Sequence, residues 1–229
     1  MESGILNLEE LDDAGLTPGD VVRLLFTLSR HCAGIGAFVR YTLAGEMLKK
    51  RYASGQVPKG PVGIGIGEEA DIDIEHGSPD FQTRLAGGTV RGTKKSVLMA
   101  GDAALYAVFA KGDDGDYLVW VDAGADAVET AQPVGLLGIR AVRCADVAFE
   151  AAPALAAVKV GPGEGAGALS CIVALLGLFN AACASGTANA GLGKAWEYAG
   201  QRYQGGRLIE GYDAIRLMYT RNAALTGAS

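Results

Sequence analysis

The chain has 229 residues, 49% of them hydrophobic and 20% charged, a balance that supports one or two globular domains with a real core. Its net charge is −6, the sequence pI is about 5.0 and no basic stripe is present, so nucleic acid is not expected as a partner. The four cysteines have no metal-ligand spacing and the histidines number two, so no metal site is expected, and buried free thiols in a reducing compartment are the simpler reading.

The opening MESGILNLEELDD is acidic, whereas a secretory leader needs a basic start and an apolar run, so a cytoplasmic location is expected. Residues 1–56 read as a short helical segment. Thr17-Pro18-Gly19-Asp20 is a start signal, a capping residue followed by proline in the first turn. Val21, Val22, Leu24, Leu25 and Leu28 follow at helical spacing. Gly34 to Gly36 read as a joint. A second helix then places Val39, Leu43 and Met47 on one side and ends in Lys49-Lys50-Arg51, cations suited to a helix C-terminus. Ser54-Gly55 closes the segment.

Residues 57–151 read as a β domain. Val62, Ile64 and Ile66 alternate with glycine, and Ile72 and Ile74 alternate with acids. Residues 104–110 (ALYAVFA) and 117–121 (YLVWV) are strands flanking an Asp113 to Asp116 turn, and residues 142–149 form another strand. Short strands spaced this way predict a small antiparallel barrel or sandwich. Glu68, Glu69, Asp71, Asp73, Glu75 and His76 read as a solvated loop rather than a cation site. The glycines at 63, 65 and 67 are followed by acids, which repel phosphates, so they read as a flexible strand entry.

Residues 152–229 read as helical again, with a joint at Pro162 to Gly165, a long helix over 166–201 and a second over 208–224. The stretch 166–190 is long enough for a membrane span. It runs without a break into KAWEYAGQRY, so a buried helix of a bundle is expected and no membrane. Two such helices cannot bury their apolar faces alone, which predicts an oligomer.

Two stretches carry a family resemblance. Residues 135–153, GLLGIRAVRCADVAFEAAP, resemble the passage by which acyl-CoA dehydrogenases leave their β domain. Residues 184–218, ASGTANAGLGKAWEYAGQRYQGGRLIEGYDAIRLM, resemble that family's long helix, its R-x-Q-x-G joint and the next helix. Gly92-Thr93-Lys94 looks like the family's G-T-K strand, and residues 68–71 look like a worn T-E-P loop. The chain is thus similar to a shortened acyl-CoA dehydrogenase: an α+β protein with a short N-terminal helical segment, a β barrel and a C-terminal long-helix hairpin.

The resemblance implies flavin adenine dinucleotide (FAD) between the β and last helical domains, accepting hydride from the acyl β-carbon while a glutamate removes the α-proton. It makes Arg202 the cofactor residue, with Gln204, Gly205 and Gly206 beside it. In the family this arginine serves the flavin of a neighbouring subunit. Departures accompany the match. Ser96 and Leu98 stand where the family places a flavin-stacking aromatic and a hydroxyl, Gly67 replaces a threonine, and the first helical segment is short. The chain ends at Ser229, before the segment that carries the family's glutamate, so no catalytic residue is expected in it. The expected function is a subunit of an acyl-CoA dehydrogenase-like complex, with a longer such chain or a second copy as partner and acyl-CoA as substrate. A stand-alone flavoenzyme with another base, or a flavin-free structural or thioester-binding module, are the alternatives.

Overall fold

The computed structural model describes residues 17–53, 57–69, 80–160 and 166–227. The expected Ser54-Gly55 close, the Ile72/Ile74 alternation and the Pro162 to Gly165 joint lie outside the described residues.

Helix α1 (Pro18–His31) starts where its signal lies. The Asp20 N–H donates to Thr17 Oγ1 at 3.3 Å and the Thr17 N–H donates to Asp20 Oδ2 at 2.8 Å, a reciprocal cap. Helix α2 (Ala33–Tyr52) follows after Cys32 alone. Gly34 and Gly36 therefore sit inside the helix and not in a joint, because they allow close approach. A Cβ on Gly34 would lie 2.7 Å from that of Ala141, and one on Gly36 would run into the Ser29 hydroxyl of α1. Val39 and Leu43 are buried as expected, but Met47 is 40% exposed and Leu48 takes the inward place.

The β domain contains β1 (Val62–Gly65), β2 (Arg84–Ala86), β3 (Thr89–Leu98), β4 (Leu105–Gly112), β5 (Gly115–Asp122), β6 (Val128–Thr130) and β7 (Cys144–Lys159). Strand β4 pairs with β5, β5 with β7, β7 with β3 and β3 with β2, and β2 meets β4 at Arg84 and Lys111. That circuit closes the expected barrel. It is not purely antiparallel: β1 and β2 both run parallel to β4. A parallel pair needs a crossover, and the β2–β3 hairpin lies on the crossover from β1 to β4.

Strand β7 runs past the expected boundary at 151 to Lys159. Its residues up to Pro153 pair with β3 and those from Ala154 on pair with β5, and Ala151 (φ +60°) is the bulge in the β3 pairing just before that change. One long strand thus serves two walls of the barrel. Strand β4 shows the two-residue period: Tyr106 and Val108 fill the barrel, while Leu105 and Phe109 face a second core with Leu25, Leu43, Ile172 and Phe179 of the helices.

The long helix appears as α3 (Ala166–Ala199), packed on α1 and α2. At Gly186 it meets the Phe26 carbonyl so closely that a Cβ has no room. Ile172–Ala199 is long and apolar enough to cross a membrane, and 28% of its most apolar window is covered by the rest of the chain. The expected buried helix is therefore covered on one side, and Leu178 and Tyr198 remain 53% and 57% exposed. After a two-stranded hairpin, β8 (Tyr203–Gln204) and β9 (Arg207–Leu208), helix α4 (Asp213–Gly227) begins later than expected. Leu208 pairs with Tyr203, which delays the helix to Asp213.

Candidate functional site

The four residues expected to hold cofactor fall together in the β8–β9 hairpin. The Arg202 N–H donates to the Tyr198 carbonyl at 2.9 Å, and the Arg202 carbonyl accepts from Ile209 at 2.9 Å. Gly205 and Gly206 form the turn with φ of +60° and +90°, the left-handed pair that closes a two-residue hairpin. The Tyr203 hydroxyl donates to the Gly206 carbonyl at 2.5 Å. The Tyr212 hydroxyl lies 2.9 Å from both the Gln204 and Gly205 carbonyls. The Arg207 guanidinium stacks 4.1 Å over the Tyr212 ring. The hairpin is thus braced from inside by tyrosines. The side chains of Arg202 and Gln204 are exposed and have no hydrogen-bond or ionic partner among the described residues.

A second group of polar residues lines β3. Lys94 Nζ lies 2.6 Å from Glu68 Oε1, and their side chains are 0% and 2% exposed. Glu68 also accepts the Gln82 and Thr83 N–H groups at 2.6 and 3.1 Å. Glu68 is therefore no part of a solvated acidic loop. Burial pushes the Lys94 amine down to about 8, although the Glu68 carboxylate pulls it back up. Next to this pair β3 bulges, with Ser96 at φ +53°. Asp146 of β7 clamps the bulge, accepting from the Ser96 N–H at 3.0 Å and from Lys95 Nζ at 2.9 Å. These two partners hold its carboxyl below the usual range.

At the end of β3, Leu98 pairs with Cys144 and packs, as Tyr41 of α2 does, against the cluster of Ala37, Met99 and Val142. Beside Tyr41, Arg40 lays its guanidinium 5.2 Å from the Tyr41 ring centroid and donates through Nη1 to Asn180 Oδ1 of α3. Its Nε is buried without an acceptor. Burial pushes the Tyr41 hydroxyl upward, with Arg40 opposing and Cys144 adding to the rise. Sequence reasoning missed Arg40, Asn180 and the Glu68–Lys94 pair. One signal was present: Arg40 stands alone as a charge in the otherwise uncharged run 33–45 of a helix.

These residues fit part of FAD. The free guanidinium and amide of Arg202 and Gln204 suit a diphosphate, since an arginine fork is planar and always charged. The end of β3 does not fit the polar edge of a flavin ring. The Ser96 N–H is spent on Asp146, and Leu98 offers no donor.

No family model matches the chain. It is 30% identical over 140 residues to the benzylmalonyl-CoA dehydrogenase of Aromatoleum aromaticum, a match covering 59% of this chain and 37% of that protein. Among solved structures, butyryl-CoA dehydrogenase from Megasphaera elsdenii aligns with a TM-score of 0.71 at 20% identity, covering 90% of this chain and 59% of that one. Glutaryl-CoA dehydrogenase from Mycobacterium smegmatis in complex with FADH2 aligns with a TM-score of 0.76 at 17% identity, covering 89% of this chain and 56% of that one. The chain resembles acyl-CoA dehydrogenases in sequence and in fold, and it spans well under two thirds of the length of these relatives.

Proposed function

We propose that this chain, with its acyl-CoA dehydrogenase-like fold, is a subunit of a flavoprotein complex that dehydrogenates an acyl-CoA thioester. Its partner in this reading is a longer acyl-CoA dehydrogenase-like chain or a second copy, in the cytoplasm and away from membranes. The single observation that carries the reading is the exposed Arg202–Gln204 edge of the hairpin, a donor set with no use inside the chain among the described residues. Bound FAD would supply the two-electron acceptor for the acyl β-carbon. Arg202 would hold its diphosphate, with Gln204 alongside, and Gly205 and Gly206 would keep the turn that presents them.

Exposed apolar side chains support a partner. Leu178 and Tyr198 on α3 and Leu217, Met218 and Leu225 on α4 are between 53% and 72% exposed, more than a helical pair leaves bare when it is fully packed. The α-proton base would come from that partner. The acids placed near the end of β3 are engaged: Glu68 with Lys94, Asp146 with Lys95, and Asp102 3.7 Å from Arg143. Leu98, at a position that the resemblance makes flavin-facing, favours one second reading, a flavin-free structural or thioester-binding module. Gentle purification of the native complex, with an absorbance spectrum and a denaturing gel, separates the two. A flavin band with a longer chain supports the first, and a colourless preparation of this chain alone contradicts it.

A further inference from the structure

Helix α4 has no core of its own. None of its described residues is buried, and it packs chiefly on α3 and on the turn at Ile209–Gly211. A helix of 15 residues is marginal in water by itself and draws its stability from packing an apolar face. Ile215, Tyr219 and Asn222 line the cleft against α3, where the Tyr219 ring lies 4.3 Å from that of Trp196. Leu217 stands on the opposite side and is 72% exposed.

Asp213, Leu217 and Arg221 are spaced by four, so they share that outer face, and all three are exposed. Neither Asp213 nor Arg221 has an ion-pair partner among the described residues. The helix dipole suits an acid in the first turn, which Asp213 is, but gives no reason for a cation at Arg221, short of the last turn. The spacing itself supplies one. A rise of about 1.5 Å per residue puts Asp213 and Arg221 each about 6 Å along the axis from Leu217, on opposite sides. Turned end for end about Leu217, the face is therefore its own complement. Asp213 comes level with Arg221 of a second copy, and Arg221 with its Asp213. Parallel pairing would set acid against acid and arginine against arginine, which is costly. A two-fold axis requires a patch that complements itself in this way.

We propose that α4 is a self-association helix, on which α4 of a second copy of this chain docks antiparallel. Leu217 meets Leu217 on the two-fold axis, and two Asp213–Arg221 ion pairs reach across it. The apolar outer face is then covered, and both charges are used. The pairing selects the second copy as the occupant of this surface. It goes beyond the flavin reading and does not rest on it.

The test is the mass of the full chain by light scattering after gel filtration. The samples are wild type, Asp213→Arg, Arg221→Asp, the double variant and an equimolar mixture of the two single variants. Wild type is expected at twice the 23.5 kDa of one chain. Each single variant sets like charges across the axis and is expected to weaken the dimer by roughly tenfold or more. The double variant and the mixture restore opposite charges and are expected to recover it. Recovery in the mixture cannot arise within either chain alone. Leu217→Cys gives a second measure that leaves both charges in place. It is expected to cross-link two copies under mild oxidation, because the axis brings the same residue of each copy together. A wild-type monomer, a dimer that survives both single variants, or Leu217→Cys copies that do not cross-link overturns the pairing. A natively purified complex in which α4 cross-links to a longer chain overturns it as well. The flavin reading is judged separately, by absorbance.

Discussion

Lys94 Nζ and Glu68 Oε1 lie 2.6 Å apart with both side chains removed from solvent, and they tie β3 to the segment that follows β1. The Phe81 ring lies 4.4 Å from the ammonium and the Ile66 carbonyl 3.3 Å from it, so no water is needed to complete the shell. Removing one partner strands the other charge in the interior. Glu68→Gln is expected to cost about 3–5 kcal/mol in urea unfolding, and Glu68→Gln with Lys94→Met to recover most of that loss.

The same pair predicts two pH effects. Burial raises the Glu68 carboxyl, but Lys94, Thr83 and Gln82 more than offset this and leave it below its ordinary 4.5. A depressed acid contributes stability above its unfolded value and loses it as pH falls. The urea midpoint should therefore drop below about pH 4.5, and drop less in Glu68→Gln. Lys94 moves the other way: burial lowers it from 10.5 to about 8. Between those values the unfolded chain holds the extra proton, so this residue's contribution to stability grows as pH rises. Wild type should gain stability relative to Lys94→Met across that window.

Close contact between α1 and α3 depends on Gly186. A methyl group there meets the Phe26 carbonyl, which is backbone and cannot rotate aside. Gly186→Ala is expected to lower stability by about 1–3 kcal/mol. Gly193 lies on the same helix, and a methyl group there would meet nothing within 4 Å, so Gly193→Ala should be neutral or stabilise by up to about 1 kcal/mol. Thermal melts of the two variants check the contrast.

The hairpin separates a structural role from a binding one. Gly206 holds φ +90°, and Gly206→Ala should cost roughly 1–2 kcal/mol locally. Arg202 has no partner inside the chain among the described residues, so Arg202→Ala should leave the melting temperature of the isolated chain unchanged, within about 0.5 kcal/mol.

Local signals were legible in the sequence, and long-range ones were not. The Thr17–Asp20 cap and the β4–β5 hairpin are built from residues close in the chain, and both lie where their patterns point. Gly34 and Gly36 misled, because glycine marks a joint and a close helix contact alike. The end of β7 was missed because residues 151–157, AAPALAA, are nearly all alanine, with little intrinsic strand preference. Pairing with β5 supplies what propensity lacks there. In the site, the R-x-Q-G-G hairpin could be read because it is continuous in the chain. Glu68 and Lys94 are 26 residues apart and Arg40 and Asn180 are 140 apart, and only the folded barrel and helices bring them together.

The most direct test is the flavin content per chain of the natively purified complex after gel filtration, for wild type and Arg202→Ala. Wild type should carry flavin, and Arg202→Ala should bind it at least tenfold more weakly, the loss of one charge-assisted contact of about 1.4 kcal/mol or more, and so hold clearly less after gel filtration, with its melting curve intact. A colourless wild type, or an Arg202→Ala complex that keeps its flavin, would contradict the assignment of this chain to a flavin-holding role.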